Sequence, residues 1–234
     1  MKNKQEIINE KKHDFDSLRS VMALLRGKGG CPWDREQTHA SIRKCLIEET
    51  YEVVEAIDTE DAALLREELG DLLFQAVFHA RIEEEKGSFT IEDVVHDITA
   101  KMIHRHPHVF GAGDAKNSDQ VLQKWEEIKS QEKQIESVAQ SLRRVPPYLP
   151  ALLRAQKIQC KARKKLAFGY TSCEDALAAA VSAKGVDLAS ELAEKVFALC
   201  AAAEMEGIDL EAALSHRCDA FIDSVETFEQ SLTV

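Results

Sequence analysis

The chain has 234 residues and a formal net charge of −11, with 44% hydrophobic and 30% charged residues, a balance suited to a globular protein with a substantial core. Only five prolines and ten glycines, set against long runs of Ala, Leu, Glu and Lys, favour helix over strand. The acidic excess argues against a nucleic-acid polymer as partner, since phosphate backbones are bound by surplus Lys and Arg, and an acidic protein that handles phosphates needs metal ions in between.

The opening segment MKNKQEIINEKK has no apolar core of a signal peptide. No stretch approaches the ~20 apolar residues of a membrane span, so no membrane role is expected. Six scattered cysteines without a CxxC pair read as free thiols, and the expected compartment is the cytoplasm.

In chain order, Phe15, Leu18, Met22 and Leu25 recur at helical spacing and predict a helix ending at Gly27. Gly27 to Asp34 (GKGGCPWD) reads as a loop. A second helix is expected from about Glu36 to Asp58, with Ile42, Leu46, Val53 and Ile57 on its apolar side. Asp61 then caps a third, which reaches about Lys86 and carries Leu65, Leu69, Leu72, Leu73, Ala76 and Val77 inward, with Gly87 as its stop. Thr90 and Asp93 form a capping box for a fourth helix, which His106-Pro107 ends near Arg105. After the loop HPHVFGAGDAKNS, a helix from about Asp119 to Lys133 carries Trp125. Residues 137–149, with Pro146 and Pro147, read as a linker between a domain over 1–136 and another over 150–234. Four further helices are expected, beginning near Pro150, Glu174, Leu188 and Leu210.

The halves read as a worn repeat: Glu68-Leu69-Gly70-Asp71 has a counterpart in Glu191-Leu192-Ala193-Glu194, and both stretches run on to a glycine, Gly87 and Gly207. Too little chain lies between Tyr170 and Glu191 for a full copy of the second helix. The fold class is therefore all-α, a helical bundle of two tandem related halves with the second degenerate.

Between Cys45 and Leu65 stand seven acids and no Lys or Arg. Glu49 and Glu52 are i, i+3 neighbours, Glu48 and Glu52 are i, i+4, and on the next helix Glu68 and Asp71 repeat the shorter spacing beside Glu67. Like charges so placed cost a helix about 0.2–0.5 kcal/mol per pair, so a purely structural helix would intersperse lysines. One such pair reads as a solvated face. Two pairs on consecutive antiparallel helices converge, and oxygen-only donors suit Mg²⁺ or Mn²⁺ rather than zinc. Di-iron is disfavoured, because its bundles need Glu-x-x-His on two helices and only Glu36 with His39 has that spacing. Lys101 with Arg105, and Trp125 with Lys129, are i, i+4 pairs suited either to surface pairing and core packing or to phosphate and base contacts. The His104, His106 and His108 cluster lacks the partners of a zinc site. Lys161, Arg163, Lys164 and Lys165 complement a helix C-terminus.

Read in order, GCPWD, IEETYEVVEAI, EELGDLLFQAVFHA, RHPHVFG and KWEEIKSQEK resemble the MazG family, all-α nucleoside triphosphate pyrophosphohydrolases with an EExxE…ExxD motif. The resemblance runs through the N-terminal half and continues as PALLRAQKIQ. It implies hydrolysis of (deoxy)nucleoside triphosphates to monophosphate and pyrophosphate by a homodimer engaged in nucleotide-pool housekeeping. It further implies Mg²⁺ ligation by Glu49, Glu52, Glu68 and Asp71, with Glu48 and Glu67 supporting the site or positioning water. Lys101, Arg105, Trp125 and Lys129 fall where the family contacts nucleotide. The second half keeps only Glu191 and Glu194, so it is expected to pack or dimerise rather than catalyse. A nucleotide- or metal-binding regulator without turnover is the alternative, and a structural module that binds no metal is a third reading.

Overall fold

Capping chemistry sets most of the helix boundaries. In the computed structural model, which describes residues 2–112, 114–115, 117–132 and 137–232, every regular element among the described residues is a helix. Those residues divide into two units, Met1–Trp125 and Glu126–Val234.

The first unit opens with α1 (Lys4–Asn9) and α2 (Phe15–Arg26), the latter capped by Asp14, whose carboxylate accepts from the Ser17 amide. α2 stops at Gly27 as the sequence indicates. The glycine loop that follows is tighter than expected. A Cβ on Gly30 would lie 2.2 Å from the Leu25 carbonyl oxygen, and Pro32 opens a short helix α3 (Pro32–Glu36) at the position where proline's missing N–H costs nothing. Arg26 pins this corner, donating to the backbone oxygens of Asp34 and Gln37 and pairing with Glu85 at 2.7 Å.

The expected single helix from Glu36 to Asp58 is interrupted. α3 ends at Glu36 and α4 (Arg43–Asp58) begins seven residues later. Thr38 and Ser41 cause the break, their hydroxyls accepting each other's backbone amides at 3.2 and 2.9 Å, a local alternative to the helical ladder. α4 turns through Glu60, held at φ 54°, into α5 (Ala62–Glu85), whose first amides are met by the Asp61 carboxylate. α5 ends at left-handed Gly87, with Ser88 N–H donating to the Glu83 carbonyl and Gly87 N–H to that of Glu84. The Thr90–Asp93 capping box then starts α6 (Ile91–Arg105), and a turn of helix, α7 (Pro107–Phe110), occupies part of the expected HPHVFG loop.

α5 is the spine of this unit, with α2, α4 and α6 against it. Met22, Ile42, Val77, Phe78, Ala80, Ile82 and Ile91 form the core, and Leu18 and Phe74 pack on it. The inward set expected for α5 is only partly right. Val77 is buried and Leu65 and Leu72 are half-buried, but Leu69, Leu73 and Ala76 are exposed, as is Ile57 on α4. The hairpin is apolar on more sides than this unit covers, which periodicity alone does not show.

α8 (Ser118–Glu132) spans the division between units. The second unit continues with α9 (Val138–Arg143), α10 (Ala151–Leu166), α11 (Cys173–Ser182), α12 (Leu188–Met205) and α13 (Leu210–Leu232). α11 pairs with α12, α10 packs on α12, and α9 and α13 lie against α10. Stretch 137–149 belongs to this unit and begins with α9, capped by Ser137. All six cysteines are free thiols, and no helix among the described residues is long and apolar enough to cross a membrane.

Candidate active site

The α4–α5 hairpin brings the two acidic pairs together. One carboxylate oxygen each from Glu49, Glu68 and Asp71 lies within 4.8 Å of the others, with Glu49 and Glu68 half-buried and Asp71 exposed. Among the described residues this is the only group of three or more acidic, histidine or cysteine side chains close enough to share an ion. The turn at Thr59–Asp61 folds the helices back on each other, and the i, i+3 spacing aims each pair along one side of its helix.

The electrostatics of the cluster are those of crowded acids, with no cation among the described residues that weigh most on Glu49 and Glu68. Burial, then a hydrogen bond with Glu52, then the charges of Asp71 and Glu52 raise the Glu49 carboxyl above its ordinary range, while a hydrogen bond from Gln75 works the other way. Burial also leads in raising Glu68, followed by the charges of Glu52, Asp71, Glu67 and Glu55. Glu52 and Glu67 therefore belong to the same field, and Glu55 joins it without having been singled out in the sequence. Glu48 is set apart: its carboxylate pairs with Lys44 at 2.8 Å on the exposed side of α4. Gln75 was also missed. It is 6% exposed and stands one turn beyond Asp71, a polar residue inside the apolar run LLFQAVF, and that anomaly was the available signal.

A dication fits this donor set. The ligand atoms are all oxygens, their charges repel one another, and no histidine or cysteine among the described residues competes. The Glu36–His39 spacing does not form a helical ligand pair. Glu36 ends α3, and His39 lies in the break, with Nε2 2.7 Å from Glu83 and Nδ1 2.7 Å from His79.

The expected nucleotide contacts are placed as follows. Lys101 is exposed on α6. Arg105 is 8% exposed, and its guanidinium lies over the Trp125 ring at 5.2 Å from the centroid, a cation–π arrangement. His106 meets the same indole edge-on at 5.0 Å. Arg105 and Trp125 thus form one aromatic and cationic assembly in the first unit, whereas Lys129 lies in the second, paired with Glu126 at 3.1 Å. Glu191 is paired with Lys195 at 2.6 Å, and Glu194 borders a mainly apolar cavity of about 450 Å³ shared with Tyr170, Phe197 and Met205.

Residues 37–110, which contain the whole carboxylate cluster, match the family model of the MazG nucleotide pyrophosphohydrolase domain. Over these residues the chain is similar to the MazG family. It is 47% identical over 161 residues to a nucleoside triphosphate pyrophosphohydrolase of Escherichia coli (strain K12), covering 68% of this chain and 61% of that protein. It is 48% identical over 145 residues to the nucleoside triphosphate pyrophosphohydrolase/pyrophosphatase MazG of Thermotoga maritima, covering 62% and 55%. It is also 49% identical over 147 residues to the uncharacterized protein YabN of Bacillus subtilis, covering 63% of this chain and 30% of that protein. The chain therefore spans less than two thirds of the length of these relatives. The family match runs from the break before α4 through α7, and the two helices that carry the convergent carboxylates, α4 and α5, lie inside it.

Proposed function

We propose that this chain hydrolyses nucleoside triphosphates, ribo- or deoxyribo-, to the monophosphate and pyrophosphate, as a Mg²⁺-dependent enzyme of nucleotide-pool housekeeping in the cytoplasm. The observation that carries the reading is the convergence of Glu49, Glu68 and Asp71 from two helices, with Glu52 in the same field, inside the stretch similar to the MazG family. The names of the Escherichia coli and Thermotoga maritima relatives support it.

In this reading Glu49, Glu52, Glu68 and Asp71 hold Mg²⁺, with Mn²⁺ as a substitute. When bound, the dication neutralises charge on the phosphates and acidifies the attacking water. Gln75 fixes Glu49 through its amide. Lys101, Arg105 and Lys129 meet the phosphate chain, and the face of Trp125 supports the base, which keeps the α-phosphorus in line. Glu67 positions the water. Its oxygen attacks the α-phosphorus, the bond from that phosphorus to the bridging oxygen breaks, pyrophosphate leaves, and the water's proton passes to the Glu67 carboxylate. Glu48, engaged by Lys44, supports α4 beside the ligands.

We place the catalytic domain at residues 1–136, with 137–149 as the linker and 150–234 as a degenerate copy that serves packing or dimerisation. What supports the copy is the shared ending of α5 and α12: Gly207, like Gly87, is left-handed, and Ile208 and Gly207 N–H donate to the carbonyls of Ala203 and Glu204. The α11 helix is 10 residues long against 16 for α4, and its acids, Glu174 and Asp175, are adjacent in the first turn and lack the i, i+3 spacing of Glu49 and Glu52. A homodimer is supported by the exposed apolar side chains of the α4–α5 hairpin, among them Ile47, Tyr51, Leu69 and Leu73.

The test is product analysis with a panel of canonical and damaged nucleoside triphosphates, with Mg²⁺ and with a chelator. The expected products are monophosphate and pyrophosphate, formed only with the metal. Diphosphate plus orthophosphate would reject attack at the α-phosphorus, and nucleotide binding without release would establish a regulator instead.

A further inference from the structure

The second unit gathers positive charge where the first gathers negative. On α10, Lys157, Lys161 and Lys165 follow at i, i+4 and i+8, which puts three ammonium groups in one row along the helix. Lys129, near the end of α8, acts on Lys161 with them, as does Glu126, which Lys129 contacts at 3.1 Å. Lys161 is half-buried, and its Nζ donates to the Ser141 hydroxyl of α9 at 3.5 Å.

The helix dipole accounts for only part of this row. Lys165 stands in the last turn of α10, where a cation faces free carbonyls, but Lys161 and Lys157 lie one and two turns earlier. Burial pushes the Lys161 ammonium down and Glu126 pulls it back, while Lys129, Lys165 and Lys157 push it down further. Burial pushes the Glu126 carboxyl up, yet the hydrogen bond from Lys129 and the charges of Lys129, Lys161 and Lys165 hold it below its usual range. The charges that weigh most on Lys161 are thus one carboxylate and three further ammonium groups, in a chain whose net charge is −11. Turning Lys161 inward toward like charges is costly unless an anion completes the site.

We propose that Lys129, Lys157, Lys161 and Lys165 form a binding site on the second unit for a small polyphosphate anion. Two or three linked phosphate groups match a row of donors spaced one helical turn apart, and charge-assisted hydrogen bonds to phosphate are the strong kind. The source is free pyrophosphate or the phosphate chain of a nucleotide. The site does not depend on the hydrolytic reading, although Lys129 serves in both, because it needs neither the carboxylate cluster nor a divalent metal.

The experiment is calorimetric titration of the full chain with inorganic pyrophosphate, and separately with ATP, in chelator at low salt, beside thermal melts. The wild type binds and melts higher. Lys161→Met, which keeps the apolar stem and sheds the charge, folds normally and binds about tenfold more weakly or worse. Lys165→Met weakens binding in the same direction, and Glu126→Gln tightens it. Binding of pyrophosphate as tight as ATP assigns the site to the free anion, and binding of ATP alone assigns it to the nucleotide. No binding by the wild type at millimolar anion, or equal binding by wild type and Lys161→Met, overturns the proposal. Competition by duplex DNA at equal phosphate concentration overturns the small-anion assignment. Loss of pyrophosphate release in the turnover assay would sink the hydrolytic reading and leave this one standing.

Discussion

Replacing Glu49 by Gln is the sharpest probe of the carboxylate cluster, because its effects on metal-free and metal-loaded protein have opposite signs. Glu49 is repelled by Glu52 on its own helix and by Asp71 across the hairpin. The helical pair is worth about 0.2–0.5 kcal/mol. The cross-hairpin pair is of similar size once its exposure is allowed for, so together they come to about 0.5–1 kcal/mol. In a unit of this length that raises the metal-free melting temperature by about 2–4 °C. The pH dependence follows from the raised Glu49 carboxyl. A carboxyl lifted in the folded state takes up protons more readily there than in the unfolded chain, so metal-free stability is highest at low pH. It falls as pH rises from the ordinary carboxyl value through the raised one. The variant lacks that component, so its advantage is absent in acid and opens toward neutrality. With Mg²⁺ at about 100 times its dissociation constant the wild type gains about 2.7 kcal/mol, and the variant gains little of it. Turnover is lost. Differential scanning fluorimetry from pH 4 to 8, with and without Mg²⁺, measures all of this. A metal-free melting temperature several degrees below wild type would show that the carboxylate is a structural partner. An undiminished response to Mg²⁺ would show that the ion binds elsewhere.

Lys101→Met should raise KM about tenfold with little change in melting temperature, since the side chain is exposed and loses only phosphate contact; an unchanged KM removes it from the binding set. Glu83→Gln should lower stability at neutral pH, because hydrogen bonds from Lys86 and then His39 hold the Glu83 carboxyl down at about 2. That deficit is complete above the ordinary carboxyl value and closes as pH falls through about 2, so denaturation midpoints that differ equally at pH 2 and pH 7 would refute the pairing. The double variant Glu191→Gln with Glu194→Gln should leave kcat nearly unchanged and remove only the partly exposed Lys195 pair; a large loss of kcat would make the second unit catalytic.

What the sequence made legible was whatever depends on neighbours within one or two turns. The acidic pairs, the caps at Asp61 and Thr90 and the stop at Gly87 are all short-range, and a tight turn between two helices suffices to bring Glu49 to Asp71. What it hid depends on competition or on a third element. Thr38 and Ser41 break an otherwise continuous helical pattern because their hydroxyls satisfy each other's amides, and apolar spacing carries no trace of that. The same spacing counted Leu69, Leu73 and Ala76 as inward, although it records only that a face is apolar and not what covers it. Gln75 escaped because its role exists only once α4 lies against α5 and offers Glu49. The lysines of α10 read as answers to a helix terminus until α8 supplied Lys129 and Glu126 beside them. In both units, then, the informative charges are those a helix cannot justify by itself. Glu49 and Glu68 weaken the helices that carry them, and Lys161 turns into a field of its own sign. A side chain that raises the energy of its own element is explained by what that element meets, and here the sign of the misplaced charge is the ground on which we propose a cation as ligand in the first unit and an anion in the second.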